Sequence, residues 1–83
     1  MITAAQMRAA RAFLRWSAEE LAKQSGLSLP TIQRMEGAEG VPSSYTKNLD
    51  AVRYTLTKAG IIFIGGDDDE IVGVMFRDES AIS

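Results

Sequence analysis

The sequence predicts a small, mainly α-helical bundle of four to five helices that ends in a β-hairpin. Three observations carry that expectation. Apolar residues recur at helical spacing through the first sixty positions, and capping residues and glycines cut that stretch into short helices. The period then changes to two β-rich runs, IIFI at 61–64 and IVGVMF at 71–76, separated by GGDDDE. Eighty-three residues suit one cooperative unit with a marginal core. Residues 1–60 read as the helical domain, and residues 61–83 as a hairpin with an acidic turn and tail.

Thr3 and Gln6 form a capping-box pattern that opens a first helix over about residues 4–15. Met7, Ala10 and Leu14 are its buried stripe, Phe13 is placed at the edge of the same core, and Trp16 at the corner that follows. Ser17 and Glu20 repeat the capping box and open a second helix, which Gly26 stops, because glycine takes the left-handed conformation of a C-cap without steric cost. Ser28 caps a third helix with Pro30 in its first turn, where the missing N–H costs nothing, and Gly37 ends it. Leu21, Ala22, Leu27, Ile32 and Met35 fall where two crossing helices bury them, whereas Leu29, Pro30, Gln33 and Arg34 face away. Two short helices joined at a glycine in this way form a helix-turn-helix pattern. Tyr45, Leu49, Val52, Leu56 and Ala59 mark a longer amphipathic helix ending at Gly60, after the turn-rich stretch AEGVPSS.

The segment SAEELAKQSGLSLPTIQRMEG resembles the lambda-repressor-like, or xenobiotic-response-element, family of bacterial and phage regulators. Ser17, Glu20, Leu21, Ala22, Gly26, Ser28, Thr31, Ile32, Glu36 and Gly37 carry the resemblance, which covers roughly residues 5–60. It implies a sequence-specific DNA-binding regulator, a repressor or autoregulator, whose third helix enters the major groove of double-stranded DNA. It also implies an internal ion pair between Arg11 and Glu36, consistent with the cost of an unpaired inward charge. Arg34 is the candidate for guanine and Gln33 for adenine, while Leu29 and Pro30 suit thymine methyls. Ser17, Ser28, Thr31, Ser44, Thr46 and Lys47 are candidate phosphate contacts, with Ser43 beside them. Ala18 departs from the family, which often places a phosphate-binding Gln there. The apolar pair Leu29 and Pro30 is a second departure and supports an alternative: an antiactivator or adaptor that binds another regulator protein, or an antitoxin-like protein with a toxin partner.

The formal charge of −2 is unevenly distributed. Residues 1–60 hold eight basic and five acidic side chains, a balance of +3, and residues 61–83 hold one and six, a balance of −5. A nucleic-acid surface on the helical part is compatible with that asymmetry. The chain has no Cys and no His, and no motif assembles a nucleophile, base and oxyanion site, so no enzymatic activity and no cofactor are expected. The Asp67, Asp68, Asp69 and Glu70 cluster lacks the ligand spacing of a calcium loop, so no metal is expected there. No apolar run reaches spanning length, which leads to the expectation of a cytoplasmic protein without a membrane partner. Ile61 with Phe63 and Ile62 with Ile64 make both faces of the first strand apolar, and a lone hairpin cannot hide two such faces. The expectation is a homodimer joined through Ile61, Phe63, Val72, Val74 and Phe76, face to face or by strand pairing across the hairpin edge; the alternative is a hairpin that folds over its own helices.

Overall fold

The computed structural model describes residues 2–42, 46–66 and 68–78. Its elements follow the order α1 (Ala4–Leu14), α2 (Ala18–Ser25), α3 (Leu29–Glu36), α4 (Thr46–Lys58), β1 (Ile61–Ile64) and β2 (Gly73–Phe76). The architecture is a small helical bundle with a C-terminal two-stranded antiparallel hairpin, as the sequence predicts. Among the described residues, no helix is long and apolar enough to cross a membrane.

The core is one cluster to which every helix and the first strand contribute. Met7 and Ala10 from α1, Leu21 and Ala22 from α2, Ile32 and Met35 from α3, Leu49, Val52 and Leu56 from α4, and Ile61 from β1 are all buried in it. Leu27 and Leu14 pack at its edge, and so does Trp16. Phe13 is exposed rather than built into this core; its ring sits 6.0 Å from that of Phe76 and so covers the hairpin from outside. Tyr45, Ser43, Ser44 and Asp67 lie outside the described residues.

The helix ends follow local chemistry. Thr3 accepts a hydrogen bond from the Gln6 backbone N–H, and Gln6 reaches back to the Thr3 N–H, so the first capping box is complete. The second is only half formed. Ser17 accepts from the Glu20 N–H, but the Glu20 carboxylate accepts instead from the Gln24 side-chain amide one turn along, at 2.9 Å. Ser28 caps α3 through the Thr31 N–H. Gly26 holds a left-handed φ of 78° at the end of α2, and an added Cβ would meet no atom there, so the glycine answers to backbone conformation and not to crowding. Gly37 closes α3 in a right-handed conformation, so its role is not that of a left-handed cap.

The hairpin pairs Ile61 with Phe76, Ile62 with Met75, Phe63 with Val74 and Ile64 with Gly73. Cross-strand partners share a face, so this register sorts the strand residues into two sets. Ile61, Phe63, Val74 and Phe76 turn inward onto the protein's own helices. Arg53 of α4 lies over the Phe63 ring, 5.5 Å from its centre, and closes that side. The expected joining surface is therefore corrected. Four of its five residues are spent on the intramolecular core, because α1 and α4 supply the apolar surface the inner face requires. Val72, the fifth, is exposed but precedes β2, which begins two residues later than the run at 71–76 suggests.

One side chain fastens this hairpin to α1. Gln6, only 2 % exposed, accepts from Thr3 N–H through Oε1 and donates through Nε2 to the carbonyls of Ile64, Gly65 and Gly73, each at 3.1 Å. An amide nitrogen has two hydrogens, so three acceptors share them, and the arrangement admits one orientation of the amide. Gly65 stands at φ 64°, and a Cβ there would come 2.1 Å from the Ile71 carbonyl oxygen, so only glycine fits this close turn. Replacing Gln6 with Leu removes the donors and leaves three part-buried carbonyls without this partner. The expected cost is about 2 kcal/mol in urea unfolding, with faster amide exchange in β1 and β2 than in α2 and α3. Unchanged stability would show that these bonds contribute nothing net.

Candidate nucleic-acid interface

The candidate interface is built by α2 and α3, which cross through Leu21, Ala22, Ile32 and Met35 and are joined by the turn at Gly26. Burying those positions determines which residues of α3 are left outside. Pro30, Gln33 and Arg34 are exposed, as expected from the sequence. Leu29 is not part of that outer face. It is half-buried and packs against the core, because the first helical position after the Ser28 cap still lies over the α2–α3 crossing.

Along one edge of α3 three polar side chains are linked. The Ser28 and Thr31 hydroxyls are 2.8 Å apart, and Arg34 Nη2 donates to Thr31 Oγ1 at 3.4 Å. The spacing of three residues places successive members on one side of the helix, which is why the chain forms. Its effect is to bias the guanidinium of Arg34 towards the N-terminal end of α3 while using one of its five N–H donors. The remaining fork fits a pair of acceptors such as O6 and N7 of guanine. Gln33, beside it, presents an amide of the kind that pairs with adenine. Ser17 lies exposed at the start of α2, where its oxygen already accepts from Glu20, and its hydroxyl hydrogen suits a phosphate oxygen. Thr46 and Lys47 are exposed in the first turn of α4, where helix N–H groups and the ammonium both favour an anion. Ser44, the other expected contact of that turn, lies outside the described residues.

The orientation of α3 is set from beneath by α1. Arg11 Nε donates to Glu36 Oε2 at 2.7 Å and Arg11 Nη2 to Glu36 Oε1 at 2.8 Å, a two-pronged pairing of guanidinium and carboxylate. Its third prong, Nη1, donates to the Trp16 carbonyl at 2.9 Å and so holds the corner between α1 and α2. Arg8 Nη1 donates to the backbone carbonyl of Glu36, and Ala4 N–H to the carbonyl of Gly40 at 2.8 Å. Four contacts thus run from one side of α1 to the end of α3 and the loop after it. Hydrogen bonding to the Glu36 carboxylate raises the Arg11 pKa above its ordinary value; burial acts against this and the Glu36 charge adds to it. A raised pKa stabilises the fold below the unfolded-state value and is lost only as pH climbs past it, in the strongly alkaline range. Arg11 therefore introduces no pH dependence near neutrality.

Of the sequence-derived site residues, the structure brings Ser28, Thr31, Gln33, Arg34 and Pro30 together on α3 and joins Arg11 to Glu36. It sets Leu29 apart from them. The bonds from the Gln6 amide to the hairpin, the Arg8 contact and the tie from Ala4 to Gly40 lie beyond the sequence-derived set. The acidic turn has a local structural use: the Asp69 carboxylate accepts from the Gly66 N–H at 2.9 Å.

No protein-family model matches the chain, and no curated protein matches it significantly.

Arg11→Met leaves the Glu36 carboxylate buried without its partner, and about 3 kcal/mol of stability should be lost in urea unfolding. Adding Glu36→Leu to the same chain removes the stranded charge, and most of the loss should return. A double variant no more stable than the single one would mean that packing, and not charge pairing, governs the site.

Proposed function

We propose that the protein is a sequence-specific DNA-binding transcriptional regulator, a repressor or autoregulator of the lambda-repressor-like type, that lays α3 in the major groove and acts as a homodimer. The observation that carries this reading is the outer edge of α3. Ser28, Thr31 and Arg34 form a linked polar row, Gln33 lies exposed beside it, and α2 is packed across the helix from behind. In a helix-turn-helix this edge faces base pairs while the first helix of the pair crosses the phosphate backbone. Ser17, Thr46 and Lys47 supply sequence-independent contacts, and Arg34 and Gln33 supply selectivity. In a dimer the two α3 helices would meet half-sites about 34–36 Å apart, or a multiple of that, on a roughly palindromic operator.

The alternative of a regulator or toxin protein as the main partner drew its support from an exposed apolar pair. Leu29 is packed against the core, so Pro30 remains as the single apolar residue of that pair on the outer face. The balance of observations moves towards DNA.

The test is duplex binding by fluorescence anisotropy, using sequences enriched from a random pool by the wild-type protein. Arg34→Ala should lower the preference for the enriched sequence over random duplex by about 1–3 kcal/mol, or roughly fivefold to 150-fold. Lys47→Ala should weaken both duplexes alike and reduce the salt slope by about one. No salt-dependent duplex binding, or no enrichment, would overturn the proposal.

A further inference from the structure

The inward turn of Ile61, Phe63, Val74 and Phe76 leaves the other face of the hairpin uncovered. Ile62 and Met75, directly paired across the strands, are 45 % and 52 % exposed. At the turn end of the hairpin Ile71 stands 75 % exposed, beside the exposed Asp68, Asp69 and Glu70. At the opposite end, where the Arg77 N–H bonds the Gly60 carbonyl, an open groove of about 410 Å³ is lined by Lys58, Ala59, Ile62, Phe76, Arg77 and Asp78, among others. One end of the hairpin therefore carries an apolar knob among carboxylates. The other carries a groove of mixed polar and apolar lining in which the Lys58 ammonium and the Arg77 guanidinium outnumber the Asp78 carboxylate two to one.

We infer that a second copy of this chain covers this face, in an antiparallel arrangement that seats the Ile71 turn of each copy in the Lys58 and Arg77 groove of the other. A two-fold axis through the Ile62 and Met75 pair makes the contact self-complementary, since each copy offers both halves. Four-residue strands rise about 13 Å, so overlapping two hairpins head to tail brings each turn to the other's base. Asp68 and Glu70 then face Lys58 and Arg77 in two equivalent places, and Ile62, Met75 and Ile71 leave water together. Parallel stacking would instead set carboxylate against carboxylate and cation against cation, and that disfavours it. The inference supplies the surface for the homodimer proposed above. It rests on the hairpin and the end of α4, and stands or falls without DNA.

A charge exchange tests it. One chain carries Lys58→Glu with Arg77→Glu, and a second carries Asp68→Lys with Glu70→Lys; Asp69 is kept because it holds the turn. Circular dichroism confirms that each folds. By sedimentation equilibrium without DNA, the wild type should dimerise, and each altered chain alone should show a dissociation constant raised at least about tenfold by like charges in contact. Mixed one to one, they should recover a heterodimer, because the acidic groove of the first then meets the basic turn of the second, and the native groove of the second meets the native turn of the first. Ile62→Lys should give a folded monomer. A monomeric wild type, altered chains that dimerise as before, or a mixture that stays monomeric would overturn the inference. Arg34→Ala should leave association unchanged, so failure of DNA recognition and failure of this interface are read separately.

Discussion

The pairing of Arg11 with Glu36 is the interaction on which the disposition of the other helices depends. A guanidinium and a carboxylate held by two parallel hydrogen bonds tolerate little change in distance or angle, so α1 and the last turn of α3 are fixed to each other. The third prong, on the Trp16 carbonyl, extends that constraint to the corner from which α2 departs. With both helices of the pair referred to α1, Leu21, Ala22, Ile32 and Met35 are buried where the two helices cross. The outer edge of α3 follows from that crossing. An ion pair of this kind adds little net stability over a well-packed apolar replacement, but it discriminates strongly against arrangements that separate its members.

The opposite end of α1 does the corresponding work for the hairpin. Two short strands are marginal in water and need a layer to lie on. Phe63, Val74 and Phe76 give the hairpin an apolar side that packs on the core, and Gln6 gives it a polar anchor in the turn region. The same residue that completes a helix cap thereby determines where the chain's last described segment sits. The outward pair of Ile62 and Met75 is the consequence of that choice, since a strand with two apolar faces can satisfy only one of them within the monomer.

Most of the helical part is legible in the sequence because its signals are local. Thr3, Ser17 and Ser28 cap where hydroxyl residues precede apolar periodicity, and Gly26 takes the left-handed turn that only local sterics decide. Leu29 was less legible. Helical phase places it outward, yet it lies one position after a cap, where the chain has not yet turned away from α2. The inner and outer sets of the hairpin were hidden for a different reason: Ile61, Phe63, Ile62 and Ile64 are equally apolar, and the choice between them is made by α1 and α4 from far along the chain. Gln6 left a faint signal. A capping box with glutamine in place of glutamate retains a donor that the cap itself does not use.

The central claim is that the outer edge of α3 meets DNA and the hairpin does not. Amide and arginine side-chain NMR shifts, followed as an enriched duplex is added to the folded protein, test it most directly. The account predicts that the largest changes fall on Ser28, Thr31, Gln33 and the Arg34 guanidinium, with smaller ones at Ser17, Thr46 and Lys47, while Ile62 and Met75 stay unperturbed. Changes concentrated on the hairpin, with α3 silent, would contradict it.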